Sequence, residues 1–225
     1  MIVRYLGHSC FFISSNRGSS VIIDPYGTHL GYQFPLIQSD VVVVTHEHKD
    51  HNADWRVTGN PTVIKRTCDF PVEHELPIKR TGETLIFKGI PAFHDDTSGR
   101  NRGPNTIFLW EMDKMRLCHL GDLGHLLTPQ QMKDIGNVDI LFLPVGGKIT
   151  MGSSNAALLV NQLMPKLIFP MHFKTRQIEG LGLADEEIEA FTGRMSNVDV
   201  LSSLAFEVAR ERLKPDNRVI ILDYQ

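Results

Sequence analysis

The densest chemistry in this 225-residue chain lies in "VVVVTHEHKDH", Val41 to His51, where four valines and a threonine lead into His46, His48, Asp50 and His51. Neutral imidazole and carboxylate are the donors that Zn²⁺ and similar divalent ions take at about 2.0–2.2 Å. Residues two apart in extended backbone point the same way, so His46 and His48 can grip one ion. Asp50 and His51, one tight turn later, can address a second ion nearby. This is not the helical His-Glu-x-x-His of metalloproteases, because Asp50 stands four residues after His46. A solvated loop would tolerate the same residues, but packing gives no reason to gather them directly behind so apolar a strand.

Other apolar runs finish in the same manner. "IPAFH" ends at His94, "RLCHL" runs into Gly121-Asp122, "LIFPM" into His172 and "ILFLPV" into Gly146-Gly147. In open α/β sheets ligands bind outside the carboxyl ends of strands, where distant segments converge. Strand ends bearing histidine, aspartate or paired glycines therefore point to one shared site. Around them, "HDDTSGRNRGPN" (residues 94–105) reads as a loop of the kind that carries specificity. Its Arg100 and Arg102 suit a phosphate or carboxylate, or simply face solvent. Asp95 and Asp96 are candidate acceptors for the free N–H of ligating imidazoles. In "PVGGKITMG" the glycines permit a close backbone approach to a ligand, or a plain turn, with Lys148 and Thr150 in reach of the pocket. His125, three residues after Asp122, either orients substrate or sits on the loop. His119 reads as structural, and His29 and His74 as surface residues.

The elements that must position these groups are mostly strands. Short β-rich runs recur: IVRYL, CFFIS, SVIID, VVVVT, TVIK, TLIFKGI, NTIFLWEM, RLCHL, VDILFLPV, KLIFPM and RVIILDY. The early ones succeed one another as in an antiparallel meander, and the later ones alternate with helices. "TPQQMKDIG" predicts a helix capped by Thr128, with Pro129 first, Gln131 completing a capping box, and Met132 and Ile135 inward. "SSNAALLVNQLMP" predicts a second, begun by Ser153 or Ser154 and stopped by Pro165. "LADEEIEAFTG" predicts a third, with acids in its first turn where the dipole favours them. Runs such as VVVV and ILFL imply strands buried on both faces, hence sheets covered by helices.

Composition sets the frame. The chain is 42% hydrophobic with a formal net charge of -3, enough for one sizeable globular domain over residues 1–225, and nothing in the balance advertises nucleic acid or an acidic membrane. Cys10, Cys68 and Cys118 are odd in number and far apart, which argues for reduced thiols in a cytoplasm-like compartment. Cys10 and Cys118, in apolar runs, read as buried small hydrophobes. The opening "MIVRYLGHSCFFISS" reads neither as a signal peptide nor as a membrane span, so a soluble, cytoplasmic protein is the expectation.

His-x-His-x-Asp-His after a Val-rich strand resembles the signature of the metallo-β-lactamase superfamily. "GHSCF", "VIIDPY", "AFHDD", "CHLGDLGH" and "IFPMHF" follow in the order that superfamily uses, from residue 2 to about 175. "LGHSCF", "CHLGDLGH" and "PVGGKITMG" look most like the branch containing the ascorbate-6-phosphate lactonase and other metal-dependent hydrolases. The resemblance implies an αββα four-layer sandwich with the site along one edge. It implies a first metal on His46, His48 and His94, a second on Asp50, His51 and His172, and Asp122 bridging both. It also puts His8 near the metals, as an outer-sphere or proton-handling candidate. Histidine-rich donors suit zinc, while the carboxylates also admit manganese or iron. With Asp50 and Asp122 at the reacting centre, a hydroxide shared by the two ions would attack a lactone, an ester or a related small substrate, phosphorylated or not. The same ligands serve phosphodiesterases and nucleases, disfavoured here because no basic arm or strongly positive surface is visible. A metal-binding protein without catalysis is the reading from a different class. The implied partner is a small molecule; the sequence is silent on homo-oligomers.

Overall fold

The computed structural model describes residues 1–65 and 72–224, with only the backbone of Val72; Arg66 and Cys68 lie outside the described residues. In chain order the strands are β1 (Ile2–Gly7), β2 (Cys10–Ser14), β3 (Ser20–Ile23), β4 (Ile37–Gln38), β5 (Val41–Val43), β6 (Val57–Thr58), β7 (Thr62–Ile64) and β8 (Val72–Ile78). There follow β9 (Glu83–Phe93), β10 (Pro104–Met112), β11 (Met115–His119), β12 (Ile140–Pro144), β13 (Leu167–Met171), β14 (Val198–Val200), β15 (Ala205–Glu207) and β16 (Arg218–Ile221). Three helices interleave with the later strands: α1 (Pro129–Ile135), α2 (Ser153–Leu163) and α3 (Ile188–Thr192).

The strands form a six-stranded sheet, β15-β1-β2-β3-β5-β7, and an eight-stranded sheet, β14-β16-β13-β12-β11-β10-β9-β8, with β4 and β6 as a separate ribbon. The expected meander is present in β1-β2-β3, after which β3, β5 and β7 run parallel. In the second sheet β8 to β11 are antiparallel, and β11, β12, β13 and β16 are parallel.

The alternation of side chains explains why the early runs are apolar throughout. Phe11, Ile13, Val21, Ile23, Val41 and Val43 enter the main core, which also takes in the inner residues of the eight-stranded sheet. Their neighbours Cys10, Ile22, Val42 and Val44 face the other way, into a second cluster with Tyr26, Leu30, Tyr32 and Val57. Both faces of these strands are therefore buried. The sandwich is the expected one, with one layer made differently. Ile135 of α1, Ala156, Leu159 and Val160 of α2 and Phe191 of α3 join the main core. The outer face of the six-stranded sheet is covered instead by the segment through Tyr26, Leu30 and Tyr32, the β4–β6 ribbon and Ile178. Cys10 and Cys118 are buried free thiols, as read from the sequence.

α1 follows its sequence closely: Thr128 and Gln131 form the reciprocal capping box, although Gln131 is buried along with Ile135 and Met132 only partly so. α2 begins at Ser153, but its cap is Gly152, and the Ser153 N–H is accepted by Glu186 Oε2 rather than by a serine hydroxyl. α3 is shorter than its acidic leader suggested. The N–H groups of Asp185 and Glu186 both donate to the Gly146 carbonyl, which holds them outside the helix.

Candidate metal centre

β1, β3 and β5 run parallel in one sheet, β9, β11, β12 and β13 in the other, so their carboxyl ends fall along one edge. Those ends deliver His8, Asp24, His46, His94, Asp122, Gly146 and His172, each one to three residues past its strand. Backbone bonds lace the two rows together: Thr106 N to Thr45 O, 3.0 Å, and His172 N to His8 O, 2.9 Å.

All seven sequence-assigned residues converge there. Ligand-capable atoms of His46, His48 and His94 lie within 4.8 Å of one another, and so do those of His8, Asp50, His51 and His172. Asp122 stands between the groups. Its Oδ2 is 3.0 Å from His94 Nε2, 3.1 Å from both His51 Nε2 and His172 Nε2, and 3.9 Å from His46 Nε2. Every one of these nitrogens, and both Asp122 oxygens, is buried without a hydrogen-bond partner. Buried polar atoms are almost always satisfied, so a knot of orphaned donor atoms aimed at one point fits a divalent cation. Burial opposes ionisation of Asp122, but His172, His51 and His94 outweigh it and hold the carboxyl well below its usual range.

Two buried residues that the sequence reading passed over set this geometry. Asp24, in "VIIDPY", receives Thr45 N at Oδ1 (2.8 Å), and at Oδ2 both Thr45 Oγ1 (2.7 Å) and His51 Nδ1 (3.0 Å). Because Thr45 donates its hydroxyl proton to Asp24, its oxygen accepts from His46 Nδ1 at 2.9 Å. One carboxylate thus fixes His51 directly and His46 through Thr45, each with Nδ1 protonated and the Nε2 lone pair free. Asn105 does the corresponding work for Asp122. Its Nδ2 donates to Leu120 O (2.8 Å) and its Oδ1 accepts Asp122 N (3.1 Å), bracing the turn at Gly121. Gly121 has φ +56, and a Cβ there would run into the Asn105 amide and Thr45. Asp24 was open to the same strand-end argument as His46; Asn105 offered no sequence signal beyond its place at the end of a polar loop.

Several expectations are corrected. Asp95 is no partner of a ligating imidazole: its oxygens accept from Thr97 N, Thr97 Oγ1, Gly99 N, Asn101 N and Arg102 N, folding the loop around itself, and Asp96 is exposed. His125 is not in the cluster. Its Nε2 accepts from Phe93 N at 3.2 Å and its Nδ1 donates to Leu126 O at 2.8 Å, so the ring clamps the backbone. Gly146 approaches the protein rather than a ligand, for a Cβ there would collide with the His172 carbonyl. The exposed Lys148 amine pairs with Asp185 at 3.0 Å, and Thr150 is buried. His119 is structural, as read: Nε2 donates to Ser9 O (3.0 Å) and Nδ1 accepts Gly121 N (3.1 Å). His29 is exposed, and His74 half-buried on β8.

Comparison with known proteins agrees with this picture. A metal-dependent hydrolase of Thermococcus onnurineus is 27% identical over 217 residues, covering 88% of this chain and 95% of its own length. A Thermotoga maritima structure assigned to Zn-dependent hydrolases of the metallo-β-lactamase superfamily superposes with a TM-score of 0.76 at 29% identity, covering 100% of this chain and 99% of that one. Igni18, a metallo hydrolase of Ignicoccus hospitalis, shares the fold with a TM-score of 0.66 at 21% identity, covering 92% and 99%. The model of the β-lactamase superfamily domain matches residues 2–172, most of the chain and every histidine and aspartate of the cluster. With its strand-end histidines and aspartates gathered on one edge of a two-sheet sandwich, the chain belongs to the metallo-β-lactamase superfamily.

Proposed function

We propose that the protein is a hydrolase that holds two divalent ions, the first on His46, His48 and His94, the second on Asp50, His51 and His172, with Asp122 between them. The observation that carries this reading is the single carboxylate oxygen faced by four imidazole nitrogens, none of them hydrogen-bonded. A carboxylate shared in this way would offset the repulsion between two bound cations. Histidine-rich donors favour zinc. When bound, such ions supply Lewis acidity and lower the pKa of water from 15.7 towards about 7.

The protein's own residues do the rest. Asp24 and Thr45 hold His51 and His46 in the tautomer that presents Nε2, and Asn105 aims Asp122. His48 is exposed, which leaves the three-histidine half open to a reactant. The loop after His94 supplies the flank: His94 N donates to Gly103 O at 3.1 Å, so the exposed Arg102 sits one residue from the ligand's backbone partner. That placement supports a small lactone or ester with an anionic group, a phosphorylated sugar acid among them, and the relatives named as metal-dependent hydrolases support the reaction type. A protein of known metal content, assayed with lactones, carboxylic and thioesters, and bis-p-nitrophenyl phosphate, tests the reading. Turnover of a lactone or ester that vanishes on demetallation and in Asp122→Ala is the expected result. Full activity after exhaustive demetallation would refute it, and turnover of the phosphodiester alone would move the protein to the nuclease class.

A further inference from the structure

His8 stands outside the seven-ligand assignment, yet the fold takes more trouble over it than an outer partner requires. Its ring lies 4.2 Å from that of His172 and 5.2 Å from that of His51, centroid to centroid, and its Nε2 is 3.2 Å from Asp50 Oδ2. Ligand-capable atoms of His8, Asp50, His51 and His172 all lie within 4.8 Å of one another. All four residues are buried.

The backbone is bent to bring it there. Gly7 has φ +102 and His8 φ +56, two successive residues in the left-handed half of conformational space; His172, its neighbour across the sheets, has φ +53. A non-glycine residue held in that region is strained and persists only where its surroundings enforce it. Here Tyr5 Oη (2.7 Å) and His172 N (2.9 Å) both donate to the His8 carbonyl, while Tyr32 fills the space beneath Gly7. Of the two side-chain nitrogens, Nε2 bonds Asp50 Oδ2, while Nδ1 is buried with no partner. A histidine kept for packing would not need this arrangement.

We propose that His8 is itself a ligand of the second ion, so that His8, Asp50, His51 and His172, together with the shared Asp122, make a closed set. The half built on His46, His48 and His94 is then the one that exchanges its metal and keeps a position for a reactant. Sites whose positions are all taken by protein groups characterise structural ions, and sites that keep an open position catalytic ones. This inference rests on the two-ion reading above and assigns different tasks to its two halves.

Two measurements test it on the intact chain. In protein loaded with two cobalt(II) ions, each ligating imidazole contributes one exchangeable, hyperfine-shifted N–H proton to the NMR spectrum. Resonances from His8, His46, His48, His51, His94 and His172 are expected, and His8→Gln should remove one while the rest persist. Separately, His8→Ala should weaken binding of the first zinc equivalent by more than the roughly 10–100-fold that loss of an outer-sphere partner costs, and leave the second equivalent unchanged. A spectrum lacking the His8 proton, or first-equivalent affinity retained in His8→Ala, overturns the proposal and leaves the two-ion reading standing. Wild-type protein that binds fewer than two equivalents overturns both.

Discussion

Asp24→Asn separates charge and tautomer from shape at the centre. The amide fills the same space and still accepts Thr45 N through its oxygen, but it turns an NH₂ towards Thr45 Oγ1 and His51 Nδ1, which now donate to the carboxylate. His51 must then carry its proton on Nε2, the nitrogen that faces Asp122. Metal affinity and turnover should each fall by about 10–100-fold, the usual cost of losing an outer-sphere partner, and isothermal titration with zinc beside a turnover assay measures both. Unchanged affinity would mean that the tautomer is set elsewhere. The ligands were legible because histidines and aspartates cluster in "THEHKDH" and recur at strand ends. Asp24 and Asn105 were not, because each is a lone polar residue whose partners lie 15 to 27 positions away, and only the fold reveals the pairing.

Among the elements, β5 carries the first ligands, and its approach is anchored by Asp40. That carboxylate accepts from Ser20 N and Ser20 Oγ at 2.8 Å and from Arg80 Nη2 at 2.7 Å, tying the start of β3 and the β8–β9 turn to the strand's entry. Partial burial works against ionisation, but Arg80 and Ser20 outweigh it, so the folded carboxyl titrates below its ordinary value. A group depressed in the folded state stabilises fully above its unfolded pKa of about 3.9, and that contribution is lost as pH falls through the folded pKa. Asp40→Asn should therefore lower stability at pH 7 and converge with the native chain as pH falls through the folded carboxyl's lowered pKa, read from urea midpoints across an acid titration. A gap that persists in acid would make the loss one of hydrogen bonding alone. The apolar strands were readable from composition, whereas β8, with Glu73, His74, Glu75 and Pro77, and the three-residue strands β14 and β15 have too little apolar pattern to announce themselves. The shortened α3 was hidden for another reason: Asp185 and Glu186 look like a helix start until the Gly146 carbonyl takes their N–H groups.

Over the whole molecule, the site is one of the places where the two sheets are fastened to each other, so an ion held there should add to stability. A ligand that binds only the folded state adds RT ln(1 + [L]/Kd), about 2.7 kcal/mol at a hundredfold excess over Kd. Chelation should lower the thermal midpoint by several degrees, and scanning calorimetry with and without zinc measures it. Equal midpoints would mean that the cluster is held open or closed by protein contacts alone. The layered plan followed from runs buried on both faces, but such runs report that a face is covered and not by what. That is why helices were expected where Tyr26, Leu30, Tyr32 and the β4–β6 ribbon lie.

The bond from His172 N to the His8 carbonyl joins the first histidine-bearing turn to the last. A chain emerging from the ribosome has His46, His48 and His94 in hand long before residue 172 is made. An ion caught during synthesis would accordingly settle first on the looser, three-imidazole half, and the tighter berth would be filled only when the finished polypeptide closes on itself. On that division of the two halves, the order in which newborn molecules load is the reverse of the order in which mature, metal-free ones take up the same two ions.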